Sequence, residues 1–158
     1  MKKEKIIRFI FSILICLLAG FIGSIFTSRS VSTWYAALQK PAFNPPNWVF
    51  GPVWTTLFVL MGISLYLVWD KDVKKKEVKN ALFIFGVQLA LNILWSLFFF
   101  GLQSPFLAFI EIIILWIAIL ATIIYFFRIS KPAAYILIPY IFWVSFAAVL
   151  NFMLMVLN

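Results

Sequence analysis

Apolar residues run along this chain in five long, unbroken stretches, parted by short polar or charged breaks. The stretches cover about residues 6–26, 48–69, 81–101, 106–127 and 133–157. Each holds about 20 residues, and a helix rising about 1.5 Å per residue needs that many to cross about 30 Å of hydrocarbon. The runs are continuous rather than alternating, so they read as helices. Lipid also leaves no hydrogen-bond partner for the edge of an open sheet. The pattern predicts an all-α membrane protein: a bundle of five transmembrane helices, with a short helix in the long first loop, forming a single domain over 1–158.

The breaks differ in kind. Those at 70–79, 102–105 and 129–132 are short and force antiparallel neighbours. The break at 27–47 is about 20 residues long, which marks a working segment in so economical a chain. Within it, residues 33–40 predict two helical turns, with Ser32 or Thr33 as N-cap and Pro41 as the stop. Residues 41–47 carry three prolines and read as stiff and extended. Such a segment either lies on the headgroups or closes the mouth of the bundle as a lid. Pro52 and Pro139 sit inside spans two and five and predict a bend in each. Small residues four apart, Ala19/Gly23, Gly20/Ser24 and Gly86/Ala90, allow helices to approach closely within one copy or between two.

Polar groups inside the apolar runs carry the specificity. Span three sets Gln88, Asn92 and Ser96 on one helical face, flanked by Trp95 and Phe99. Span five sets Tyr140, Trp143, Ala147 and Asn151 on one face, and span two puts Trp54 and Phe58 one turn apart. Polar groups facing lipid are costly, so these faces should converge. Gln88 and Asn151 suit interhelical hydrogen bonds equally well. Asn92 with Trp54, Trp95 and Trp143 suits a pocket, because several indoles offer flat faces and donors to a planar aromatic guest. Glu111 is the one acid inside a span, either shallow and wet or buried.

Composition narrows the functions. The chain is 65% hydrophobic and 11% charged, which no soluble domain of 158 residues could accommodate. It has no His, which excludes histidine-ligated haem, histidine zinc sites and histidine bases. Cys16 has no intrachain partner for a disulfide. No paired-carboxylate site, phosphate loop or metal-ligand spacing is visible, so no conventional enzyme is expected. Eleven of the thirteen cations fall before span one, between spans two and three, or between spans four and five; Arg29 and Lys40 are the other two. The positive-inside rule therefore predicts a cytoplasmic N-terminus and an outer C-terminus. The same distribution makes membrane lipid the partner of these cations and leaves no need for nucleic acid. The first span lacks an A-x-A cleavage pattern and reads as a true helix rather than a signal peptide.

Read in order, Trp34-Tyr35-Ala36-Ala37-Leu38-Gln39-Lys40-Pro41, then Pro45-Pro46-Asn47-Trp48-Val49-Phe50-Gly51-Pro52-Val53-Trp54-Thr55, then Gln88, Asn92, Trp95 and Ser96, and Pro139-Tyr140, Trp143, Phe146-Ala147 and Leu150-Asn151 form a specific string. It resembles the TspO/MBR family, the tryptophan-rich sensory proteins that include the mitochondrial translocator protein. The resemblance implies a five-helix, commonly homodimeric bundle in a bacterial-type cell membrane, with a ligand cavity under the first loop. It implies a receptor or sensor for porphyrins such as protoporphyrin IX and for other planar hydrophobic ligands, with no obligatory cofactor. The ligand-binding positions it implies are Tyr35, Trp54, Phe58, Asn92, Trp95, Ser96, Trp143 and Ala147. Trp54 and Trp143 match tryptophans tied to light-dependent porphyrin breakdown in bacterial relatives. Transport of a small molecule, with Glu111 carrying a proton, is the alternative. Glu111 matches the family's acidic position in span four, which implies a structural or polar-network role. The cholesterol motif of animal members is not matched: Phe152 stands at its Tyr position and no Lys or Arg follows Lys131. Without His, a porphyrin would be held by stacking and hydrogen bonds, its propionates within reach of Lys40 or Arg29 at the mouth.

Overall fold

Five long helices form the frame of the computed structural model, which describes residues 2–158. The first, α1 (Lys2–Ser30), is followed by the single turn α2 (Trp34–Ala37) and by α3 (Asn47–Trp69). Next comes α4 (Lys76–Ser96), which runs on as a π turn over Leu97–Gly101. Then α5 (Pro105–Ile129), α6 (Lys131–Ile136) and α7 (Ile138–Leu157) complete the chain. The α6–α7 pair makes up the fifth span, and no strand occurs among the described residues.

All five spans extend beyond the apolar runs that announce them. Helical backbone satisfies its own polar groups, so a helix continues through charged and polar residues until it clears the lipid. Thus α1 includes Lys2–Lys5 at one end and Thr27–Ser30 at the other, and α4 begins at Lys76 rather than near residue 81. The lid segment between α1 and α3 is correspondingly shorter, spanning residues 31–46.

The helices close into a ring. α1 packs between α3 and α4, α5 packs between α4 and α7, and α3 reaches the fifth span chiefly through α6. Where α1 meets α3, Gly62 sets the distance: a Cβ there would lie 2.6 Å from the Cα of Ile13, so the backbones touch. At the basic end, Lys5 pairs with Asp70 at 3.2 Å and the Arg8 guanidinium lies over Trp69, joining the start of α1 to the end of α3. Trp69 also meets Phe11 edge-on, and Trp48 is exposed near the opposite end, as expected of interfacial indoles.

Local expectations meet different outcomes. The lid helix has one turn rather than two. Pro41 pushes Lys40 away from helical geometry, Leu38 is already extended, and Thr33 makes no side-chain cap bond. At Pro52, near its start, α3 runs on as one helix. Span five is interrupted at Leu137, where α6 ends and α7 begins with Pro139 in its first turn. The outward faces of Gly86 and Ala90 are exposed, and a Cβ at Gly86 would meet nothing within 4 Å.

Candidate functional site

A cavity of about 420 Å³ lies within the lid half of the bundle. All eight residues singled out from the sequence line it: Tyr35, Trp54, Phe58, Asn92, Trp95, Ser96, Trp143 and Ala147. They come from the lid and from α3, α4 and α7, so the polar and aromatic faces do converge on one hollow.

Each wall has a local cause. On α1, Gly20 makes room for the Phe58 ring, which would lie 2.6 Å from a Cβ at that position. Gly23 likewise admits Ser96, whose hydroxyl would stand 3.1 Å from such a Cβ. On α4, the π turn adds one residue to a helical turn, with the Leu102 N–H reaching the Leu97 carbonyl at 2.7 Å. That wider turn brings Phe99 and Phe100, adjacent in sequence, both into the interior. Together they carry the lid: Tyr35 packs against both rings, and Trp34 meets Phe99 edge-on.

Facing rings close the seam between α3 and α7. Trp54 meets Tyr140, Phe50 meets Trp143, and Phe43 of the lid meets Phe146, with centroids 6.1–6.3 Å apart. Edge-to-face contacts of this kind are favourable beyond the area they bury.

Hydrogen bonds decide which polar atoms the cavity can offer. Asn92 Nδ2 donates to the Tyr140 hydroxyl at 2.8 Å, and that hydroxyl donates to Gln88 Oε1 at 2.8 Å. Trp95 Nε1 donates to Asn151 Oδ1, and Asn151 Nδ2 donates to the Pro105 carbonyl at 2.8 Å. Gln88 and Asn151 therefore act as interhelical ties. Trp95 presents its ring face with its donor already used. Outside the cavity, Trp116 is similarly tied, donating to Ser145 Oγ at 2.8 Å. Trp143 is different: its Nε1–H is buried and has no acceptor in the protein.

The lid is fastened at several points. The Ser30 hydroxyl donates to the Phe100 carbonyl at 2.7 Å. The Asn158 side chain brackets Gln39, accepting from its N–H at 2.9 Å and donating to its carbonyl at 3.0 Å. Tyr35 is 4% exposed and donates its hydroxyl to Asn44 Oδ1 at 3.3 Å. Burial holds its phenol above the ordinary range, with the Asn44 bond pulling weakly the other way. Lys40, expected at the mouth as a propionate partner, is engaged within the lid itself. Its ammonium lies 4.7 Å from the Tyr35 ring centre and donates to the Leu38 carbonyl at 3.1 Å. Arg29 is exposed.

Glu111 is 4% exposed, with neither carboxyl oxygen hydrogen-bonded, and it does not line the cavity. Of the structural or polar-network roles that the resemblance implies, no hydrogen-bonded network forms around it among the described residues. Several lining residues were not singled out from the sequence as site residues. Gly20 and Gly23 showed only as small-residue spacing, and Phe50 only as part of a motif. Ile112 and Leu115 of α5 look in sequence like any lipid-facing residue of a long apolar run. No group of three or more metal-ligating side chains occurs among the described residues.

The sequence pattern of the TspO/MBR family matches residues 12–157. The chain is 46% identical to the tryptophan-rich protein TspO of Chlorobaculum tepidum, over 99% of each chain. It is 48% identical to the protein of the same name from Archaeoglobus fulgidus, over 98% of this chain and 99% of that one. Similarity extends to the translocator protein of Homo sapiens, at 39% identity over 85% of this chain and 80% of that one.

Proposed function

The chain belongs to the TspO/MBR family of membrane proteins, and from that premise we propose that it is a receptor or sensor for a porphyrin or another flat hydrophobic ligand. The observation that carries this reading is the indole-walled cavity under the lid, lined by Trp54, Trp95 and Trp143. Its volume falls within the range of about 300–1,000 Å³ usual for small-molecule sites. The walls are apolar rings, which stack on a planar guest, and the buried Trp143 N–H is a donor with nothing to satisfy it. Names given to relatives, "tryptophan-rich sensory protein" in Cereibacter sphaeroides and "translocator protein" in Homo sapiens, agree with a role in sensing or moving a small molecule.

In this reading Tyr35 caps the guest, Trp54, Phe58, Trp95 and Trp143 contact its faces, and Asn92, Ser96 and Ala147 shape the rest of the wall. The cation-rich end lies in the cytoplasm, and the free outer face of α4 at Gly86 and Ala90 pairs two copies. The test is a titration of the purified protein with protoporphyrin IX in darkness, then under illumination. Saturable quenching of tryptophan emission, weakened at least tenfold in Trp54→Phe or Trp143→Phe, is the expected result; an unchanged emission spectrum would end the reading. Loss of the porphyrin absorption in light, abolished in both variants, would add photochemical breakdown to the role.

Transport is the second reading. It is favoured by the translocator names and by Glu111, a buried acid without a partner. Flux of porphyrin across liposomes that needs a proton gradient and fails in Glu111→Gln would select it over sensing.

A further inference from the structure

Around the cavity, four of the five helix seams are filled. Rings close α3 against α7, Gly23 and Ser96 close α1 against α4, and α5 packs directly on both α4 and α7. The seam between α1 and α3 behaves differently along its length. At Gly62 and Ile13 the backbones touch. Two turns nearer the lid, at Gly20, the gap already holds the Phe58 ring. Nearer still, a Cβ on Gly51 would meet nothing within 4 Å. The two helices thus diverge toward the lid end, and the gap between them is left open.

That gap reaches the cavity. Phe21 and Ser24 of α1, with Gly51 and Thr55 of α3, line the cavity and are also exposed on the outside of the bundle. Phe21 is 64% exposed. Gly51 and Thr55 stand about 6 and 12 Å along α3 from its first residue, inside the second of the five spans. Their hydroxyls do not make the cleft polar: Ser24 donates to the Phe21 carbonyl at 2.6 Å and Thr55 to the Gly51 carbonyl at 2.8 Å. On the water side the lid lies over the cavity, held by the Asn158 bracket on Gln39 and, where α1 ends, by Ser30 on the Phe100 carbonyl, with Asn47 the exposed lining residue beside it.

We propose that the cleft between α1 and α3, bordered by Phe21, Ser24, Gly51 and Thr55, is the passage through which a lipid-dissolved ligand reaches the cavity, while the lid stays closed. This rests on the ligand-binding reading above, and it adds to that reading that the ligand arrives from the acyl-chain region rather than from water. A flat guest sits edge-on in such a slot, its faces toward the two helices. The Phe58 ring, seated on Gly20, forms the inner limit of the slot.

Gly51→Leu tests the passage. The added side chain finds free space, the glycine does not occupy a left-handed conformation, and leucine favours the helix, so the fold is retained. In nanodiscs made with bromine-labelled acyl chains, the Trp54 contribution to emission, isolated by difference against Trp54→Phe, is expected to be strongly quenched. Gly51→Leu should remove at least half of that quenching. With protoporphyrin IX supplied in the lipid, Gly51→Leu should slow both binding and release about tenfold, and Asn158→Ala should leave both rates unchanged. Faster binding in Asn158→Ala together with unaltered rates in Gly51→Leu would overturn the proposal in favour of the lid. If the wild-type protein binds no porphyrin, the ligand reading fails by itself. The bromine measurement then decides the passage alone, and absent Trp54 quenching would sink it.

Discussion

Trp95 donates its Nε1–H to Asn151 Oδ1 at 2.9 Å, and this bond determines what the indole has left for a guest. Its ring lies nearly parallel to Phe99, with centroids 5.0 Å apart, so Trp95 is fixed by a neighbour on its own helix as well as by α7. It serves the cavity as a rigid flat wall. The buried donor in the cavity that lacks an acceptor belongs to Trp143.

Because Asn151 joins α7 both to Trp95 and to the first residue of α5, its replacement should loosen the lid end of the bundle. Asn151→Leu is expected to cost about 1–3 kcal/mol, the range for leaving buried partners unsatisfied. A double-mutant cycle with Trp95→Phe in detergent should give a coupling of about 1 kcal/mol. Simple additivity of the two single changes would show that the bond contributes nothing.

The Gln88–Tyr140–Asn92 chain makes a parallel prediction for the centre of the bundle. Tyr140 is 1% exposed and its hydroxyl serves both amides. Tyr140→Phe keeps the ring and its edge contact with Trp54 but strands an acceptor on Gln88 and a donor on Asn92. The expected loss is about 1–3 kcal/mol, read from thermal unfolding in detergent micelles. It should be largely recovered when Gln88 and Asn92 are also replaced by leucine. Equal melting of the wild type and Tyr140→Phe would mean the chain is not formed.

The spans and the convergence of Trp54, Asn92 and Trp143 were legible because lipid imposes a simple rule: continuous apolar runs cross it, and polar faces turn inward. Helix ends were not legible from hydropathy, because α1 and α4 continue through lysines that end the apolar signal without ending the hydrogen-bond ladder. The π turn at Leu97–Gly101 left no mark either; Phe99 is legible beside the polar stripe of span three, but nothing in the sequence shows that one added residue turns Phe100 inward with it. The use of each donor was hidden for a different reason. That the Trp95 N–H is already used depends on Asn151, more than fifty residues away and on another helix. The bracket of Asn158 on Gln39 is equally non-local.

The lid carries a pH response that can be checked separately. Tyr35 is buried as a neutral phenol, with its pKa raised from the ordinary 10.0. The closed lid therefore favours the protonated form. Its stabilisation is complete below pH 10 and is lost as the pH rises through the higher value of the closed state. Emission from Trp34, isolated by difference against Trp34→Phe, should shift to that of a hydrated indole in this alkaline range. Tyr35→Phe should remove the transition. A transition that persists in Tyr35→Phe would assign it to another group.

Glu111 supplies the last prediction, and its sign is unusual. A buried carboxyl with no hydrogen-bond partner lowers stability, because its solvation is lost and nothing replaces it. Around it α5 is packed with apolar residues, Ile112 and Leu115 among the most buried. Glu111→Leu should therefore stabilise the protein, by about 1–3 kcal/mol, whereas most core substitutions destabilise. Because Glu111 does not line the cavity, dark binding of protoporphyrin IX should be unaffected. The two measurements together separate a passive orphan from a working acid. A stabilised Glu111→Leu with normal binding and normal liposome flux leaves the carboxyl no part in transport. A stabilised variant that binds but no longer moves porphyrin shows an acid kept at the expense of stability because proton-linked movement requires it. A destabilised variant would mean that the carboxyl is satisfied in the membrane by water or lipid.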